Sequence, residues 1–177
     1  MLFLTDPIRT PAVTSTAARL PKGCGVVFRA FGAADAVQQG RALARVCRRR
    51  RLMLLVGADP ALAARLNADG VHLPQRLAGR AGLVRSLRAR FLVTAAAHDL
   101  PAALRARRAG AQALVISPVF ASNSPSAGRA IGPRALARLA RAARIPVYAL
   151  GGVNARTARA LGRTSVVGLA AVEALGG

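Results

Sequence analysis

Acidic and aromatic residues are scarce in this chain of 177 residues: aspartate and glutamate together number six, phenylalanine five, tyrosine one and tryptophan none. The aromatic shortage withholds the stacking platforms on which single-stranded nucleic acids are held. The acid shortage leaves few oxygen ligands for a hard metal cation. Cysteine is nearly absent too, and Cys24 and Cys47 lie far apart, with no Cys-x-x-Cys spacing and no histidine close by. Buried thiols are therefore expected rather than a disulfide or a ligand pair. No low-complexity linker marks a boundary, and a chain of this length buries one substantial core, so residues 1–177 are expected to form a single domain. Met1 to Pro7 has no basic flank, and its apolar run stops at Asp6. That argues against a signal peptide or membrane span and for the first strand of a cytoplasmic domain.

Basic residues are plentiful instead. Lysine and arginine number 27 against six acids, a net charge of +21, and Lys22 is the lone lysine. Such a balance occurs in nucleic-acid binders. Here the arginines are spread along the whole chain among many alanines, as GC-rich codon usage produces, and only Arg48 to Arg51 forms a compact cluster. With so few aromatics beside them, nucleic acid is not expected as the main partner.

Short apolar runs alternate with longer stretches of alanine, leucine and arginine at helical spacing. The runs predict strands at Leu2–Thr5, Gly25–Arg29, Leu52–Val56, Gly70–Leu73, Phe91–Ala95, Ala113–Ser117, Val147–Leu150 and Ser165–Gly168. Helices are predicted over Ala33–Arg49, Pro60–Leu66, Leu83–Arg88, Asp99–Ala109, Pro133–Ala143 and Asn154–Leu161. Eight strands alternating with helices point to an α/β fold, a closed (β/α)8 TIM barrel, because right-handed crossovers set consecutive strands side by side and closure removes the edges. The barrel must be compact, with a shortened first helix within Pro11–Pro21 and a shortened last one within Leu169–Gly177. An open flavodoxin-like sheet of fewer strands is the alternative.

In a barrel the chemistry sits at the C-terminal ends of the strands, and those positions are poor in carboxylates here. Gly151 and Gly152 stand between an apolar run and a helix that Asn154 can cap, so their N–H groups can approach an anion without interference from Cβ. His98 reads as opening a helix after the fifth strand, where the positive end of the dipole favours the neutral, proton-shuttling imidazole; capping or packing is the plainer role. His72, inside Val71-His72-Leu73, reads as a satisfied core histidine. Arg29 ends an apolar strand, where it faces a phosphate or pairs with Asp6. Gln75 lies just past the fourth strand, and Ala121 to Gly128 is a hydroxyl-rich loop, a lid over an oxyanion or simply a solvated connection.

Five segments in order carry a family resemblance. Leu2-Phe3-Leu4-Thr5-Asp6 looks like an opening strand, and Ala68-Asp69-Gly70-Val71-His72-Leu73 like an Ala-Asp-Gly-Val-His-Leu signature. Ala97-His98 falls at a histidine after the fifth strand, Ser117-Pro118-Val119-Phe120 is similar to Gly-Pro-Val-Phe, and Ala149-Leu150-Gly151-Gly152-Val153 is similar to Ala-Ile-Gly-Gly-Ile. Together they resemble the thiamine phosphate synthase and TenI superfamily, which implies the compact barrel. In the synthase a hydroxymethylpyrimidine diphosphate ionises, magnesium carries off the diphosphate, and the nitrogen of a thiazole phosphate captures the cation. This chain departs from that pattern. Gly57-Ala58-Asp59 replaces Asn-Asp-Arg, Pro74-Gln75-Arg76-Leu77 replaces Gly-Gln-x-Asp, Arg29-Ala30-Phe31 replaces Arg-x-Lys, and Ser122-Asn123-Ser124-Pro125 replaces Thr-x-Thr-Lys. Asp59 is the one remaining candidate for magnesium.

What survives is the thiazole-phosphate side. The resemblance implies that Gly151, Gly152, Gly168, Ala170 and Ala171 hold phosphate through backbone N–H groups. It puts His98 where TenI-type tautomerases keep their proton-transferring histidine, with Arg29, Gln75 and Ser122 or Ser124 orienting the ligand. A tautomerase needs neither magnesium nor a diphosphate site. The leading expectation is thus a cofactor-free thiazole tautomerase, and the alternative is a divergent thiamine phosphate synthase, the one reading that involves magnesium. A third is a non-catalytic ligand-binding or partner protein on a degenerate barrel. The expected partner is a small phosphorylated thiazole or pyrimidine, not a membrane, and a homo-oligomer would cover apolar surface left by the shortened helices.

Overall fold

The computed structural model describes residues 1–122 and 128–173. Eight parallel strands close in chain order: β1 (Leu2–Leu4), β2 (Gly25–Phe28), β3 (Met53–Gly57), β4 (Gly70–Leu73), β5 (Leu92–Ala97), β6 (Ala113–Ile116), β7 (Val147–Ala149) and β8 (Gly168–Ala171), which pairs back with β1. Around them run α1 (Val13–Arg19), α2 (Ala36–Arg50), α3 (Pro60–Arg65), α4 (Ala81–Leu87), α5 (Leu100–Arg108), α6 (Gly132–Ala143) and α7 (Ala155–Ala158). Closure excludes the open sheet. Among the described residues no helix is long and apolar enough to cross a membrane.

The strands are apolar on both faces because both faces are buried. Alternation sends Phe3, Val26, Leu54 and Val56 outward, where they pack with helix residues such as Leu43 and Leu136. Their neighbours Leu2, Leu4, Val27 and Leu55 turn inward and meet Val115 and Ala170 in a smaller cluster that fills the barrel. Leu55 is fully buried there, and its truncation to alanine should cost about 2–5 kcal/mol. Gly70 is obligatory at the pairing of β4 with β5, since a Cβ there would collide with the backbone of Leu92. Cys24 and Cys47 are buried and unbridged. Burial, helped by the Asp69 charge, pushes the Cys47 thiol up to about 12, so it is inert at neutral pH.

The helices run back against the strands, so their N-termini lie at the mouth and the C-termini of the longer ones at the opposite face. Asp59 caps α3 by accepting from the Leu62 N–H (2.8 Å), and Asp99 caps α5 through Ala102 (2.7 Å). Asn154 and Thr157 form a capping box on α7.

Two elements differ from the sequence expectation. A 3-10 helix over Gln75–Arg80 leads into α4, so the connection after β4 is itself helical. Strand β8 begins at Gly168, three residues later than its apolar run suggests. Ser165 takes a positive φ of 57° after a turn closed by Thr164, and Val167 is 60% exposed on the approach to the strand. Helix α1 is short as expected, whereas the chain beyond Glu173, where the last helix is predicted, lies outside the described residues.

Candidate active site

All eight strand ends contribute to one cavity of about 1100 Å³ at the mouth. Its lining includes Arg29, Asp59, Gln75, His98, Ser122, Gly151, Gly152, Ala170 and Ala171, so most of the residues singled out from the sequence converge. Gly168 does not line it. That glycine opens β8 instead of following it, and its missing Cβ makes room for the Tyr148 ring, 2.9 Å from where the Cβ would stand. Ala170 and Ala171 likewise lie within β8, in register with Leu2 and Phe3, rather than in a loop beyond it. Ser124 falls outside the described residues.

His98 precedes the cap Asp99 and does not itself open α5. Its orientation comes from two neighbours rather than from the helix dipole. Its backbone N–H donates to the Gln75 Oε1 (2.8 Å), and its Nδ1 meets the Ser117 carbonyl oxygen. A carbonyl only accepts, so Nδ1 carries a proton, which in the neutral tautomer leaves the lone pair on Nε2. Nε2 has no partner among the described residues. Gln75 is thus a positioning residue for His98. Its own amide nitrogen has no acceptor among the described residues.

His72 is the core histidine that its apolar setting suggests. Its Nδ1 sits 2.9 Å from the Thr94 hydroxyl, and burial, assisted by the Arg29 charge, pushes its pKa down to about 4. The ring is neutral at physiological pH.

Arg29 belongs to a charge cluster at the β1 and β2 ends. It donates through Nε to the Thr5 carbonyl (2.6 Å) and through a terminal nitrogen to Asp6 (3.3 Å), and its guanidinium lies 5.0 Å from the Phe31 ring centre. Asp6 also accepts from Nε and a terminal nitrogen of Arg9 (3.2 and 3.0 Å), and from the backbone N–H groups of Ile8 and Arg9. Burial acts to raise the Asp6 pKa, but the Arg9 and Ile8 hydrogen bonds and the Arg9 charge outweigh it and hold the carboxyl below its ordinary value. Arg9 reaches on to Glu173 at the end of β8 (3.4 Å). The Arg29–Asp6 pair is legible in the sequence. Arg9 and Glu173 are not, because only closure of β1 against β8 brings them together; the sole hint is the spacing of Asp6 and Arg9 in a turn.

The glycine pair has a more local reason than anion clearance. Gly151 (φ 91°) and Gly152 (φ 63°) lie against the loop after β6. A Cβ on Gly151 would stand 2.8 Å from the Pro118 Cα, and one on Gly152 would collide with the Ala121 carbonyl oxygen. The carbonyls of Leu150 and Gly151 accept from the N–H groups of Val119 and Phe120, continuing the β6–β7 pairing into the mouth. This arrangement turns the N–H groups of Gly151, Gly152 and Val153 away from protein acceptors, none of which they reach among the described residues. Unused amides beside a barrel's seventh and eighth strands suit a phosphate.

The residues do not fit a dedicated magnesium site. Among the described residues no three carboxylates, histidines or cysteines come together, and the Asp59 carboxylate is engaged in capping α3.

Comparison with known proteins agrees with this architecture. Residues 3–175 match the family described as thiamine monophosphate synthase, TMP-TENI. Thiamine-phosphate synthase of Alcanivorax borkumensis is 33% identical over 184 residues, covering 98% of this chain and 83% of that protein. The Chloroflexus aurantiacus thiamine-phosphate synthase is 34% identical over 140 residues, 78% of this chain but only 64% of the relative's length. Among solved structures, thiamine phosphate pyrophosphorylase from Pyrococcus furiosus superposes with a TM-score of 0.84 at 26% identity, over 99% of this chain and 87% of that one.

Proposed function

The chain belongs to the thiamine monophosphate synthase family, and from that premise we infer that it is a divergent thiamine phosphate synthase. The observation that supports this most is the near-complete correspondence with relatives named as synthases, which extends over 98% of the chain for the Alcanivorax protein. The tautomerase expectation has no comparable support among the named relatives.

In the reaction, the bond between the pyrimidine methylene carbon and the diphosphate oxygen breaks, and the leaving group takes the electron pair. The thiazole nitrogen then donates its lone pair to form the new C–N bond. The amides of Gly151 and Gly152 hold the thiazole phosphate, beside the cavity-lining Ala170 and Ala171 of β8. Arg29, kept in place by Thr5 and Asp6, offers fixed positive charge toward the departing diphosphate, and such preorganised charge needs no rearrangement as the bond breaks. Ser122, which lines the cavity, supplies a hydroxyl near the leaving group. Gln75 orients His98.

A second reading, thiazole tautomerase, is favoured by one observation: His98 is held through Nδ1, with Nε2 left available for proton transfer. Incubation with hydroxymethylpyrimidine diphosphate and thiazole phosphate separates the two, with and without magnesium and with products followed by mass spectrometry. A synthase releases diphosphate and thiamine phosphate in equal amounts. Isomerisation of the thiazole without coupling would replace the synthase with the tautomerase, and ligand binding with no turnover of either kind would leave a non-catalytic binding protein.

A further inference from the structure

Folding sorts the charges that look dispersed in the sequence. Among the described residues α1 to α6 each carry a basic residue in the last turn, and those turns lie toward the face opposite the mouth. Of the six acids, Asp6, Asp35, Asp59, Asp99 and Glu173 lie at the mouth or at helix N-termini, leaving Asp69 at the far end. The far face is therefore strongly cationic.

Its densest part joins the turns after α1 and α2. Arg19, Lys22, Arg48, Arg49, Arg50 and Arg51 are all exposed. The Gly23 N–H donates to the Arg51 carbonyl (3.2 Å), which ties the two turns together. Basic residues at helix C-termini can be explained by capping, and some here are: Arg88 donates to the Ala64 carbonyl and Arg107 to that of Ala143. None of the six in the patch makes such a bond or an ion pair among the described residues. With Asp69 as the sole acid at this end and no ion pair to any of them among the described residues, the six neighbouring cations repel one another, and a polyanion relieves that repulsion.

We propose that this face binds double-stranded nucleic acid through its phosphates, without reading the sequence. Five of the six cations are arginines, whose planar fork matches phosphate oxygens in pairs. The only exposed aromatic side chain among the described residues is Phe31, at the mouth. The far face thus has no ring on which to stack unpaired bases and no aromatic anchor for a bilayer interface. The two sites occupy opposite ends of the barrel, so duplex binding leaves the mouth open.

The test is fluorescence anisotropy of the full chain with a short labelled duplex across a salt series. Engagement of all six cations gives a slope of log affinity against log salt of about −5. Arg49→Glu/Arg50→Glu should weaken binding at low salt by about tenfold or more, whereas Arg134→Glu/Arg138→Glu on α6, with the same change in net charge, should weaken it by less than about threefold. Arg49→Gln/Arg50→Gln serves if reversed charge disturbs the end of α2, and thermal unfolding checks each variant. Equal losses from the two pairs would mean that net charge alone attracts DNA, and that overturns the proposal. So would absence of binding at low salt, or tighter binding to phosphatidylserine vesicles than to the duplex.

Discussion

The two ends of this barrel handle charge in opposite ways. At the mouth, Asp6 gathers Arg9 and Arg29, Arg9 reaches Glu173, and Asp59 and Asp99 cap helices. At the far end, Arg48 to Arg51 stand exposed without ion pairs among the described residues. Charges held by partners orient a ligand; charges without partners attract one. The mouth should therefore be sensitive to single substitutions in both stability and ligand binding, and the far face in neither, apart from its polyanion affinity.

The largest expected effect is on turnover. Under the tautomerase reading, in which the imidazole transfers a proton, His98→Ala should lower kcat by about 100-fold or more while calorimetry still detects thiazole phosphate; undiminished turnover would remove His98 from the chemistry. Next comes Gly152→Ala, which combines a positive φ with a collision against the loop after β6 and should cost about 2–4 kcal/mol in urea unfolding. A loss below about 1 kcal/mol would mean that the loop yields easily and that the mouth is softer than its packing implies.

Acid should expose the buried histidine. The folded-state pKa of His72, about 4, lies below its unfolded value, so the stability held at neutral pH declines as the unfolded chain takes up a proton. The decline begins near pH 6.5 and runs to about pH 4, by at most about 1.4 kcal/mol per pH unit. Asp6, also lowered, adds a further loss as pH falls from the ordinary carboxylate range through its folded value. Urea titrations of wild type and His72→Asn should separate the two, because the variant loses only the first component.

The smallest effects sharpen the comparison most directly. Asp6→Asn should cost about 1–2 kcal/mol, since two arginines lose a charge-assisted acceptor. Arg49→Gln/Arg50→Gln should change stability by less than about 0.5 kcal/mol. Similar costs at the two ends would erase the distinction between partnered and unpartnered charge.

Much of the fold was legible because a buried parallel strand and an amphipathic helix leave different periods in the sequence. The start of β8 was not. Val166 and Val167 look like strand residues, yet the positive φ of Ser165 holds them in the approach to it. In the site, Gly151 and Gly152 were recognisable as a special turn, but the sequence suggested clearance for an anion, whereas the nearest constraint is the carbonyl of Ala121. His98 was found by its place after a strand, while Gln75 and the Ser117 carbonyl, which orient it, lie far away along the chain.

The sequence by itself determined the barrel, its family and the glycines and histidine of the mouth, because local patterning and short motifs are properties of neighbouring residues. Only the tertiary structure decided which charges meet. Barrel closure brought Arg9 to Glu173 across the β1–β8 seam. The shared direction of the longer helices set the consecutive Arg48 to Arg51 beside Arg19 and Lys22 on the face opposite the mouth, since antiparallel return places their C-termini at the same end.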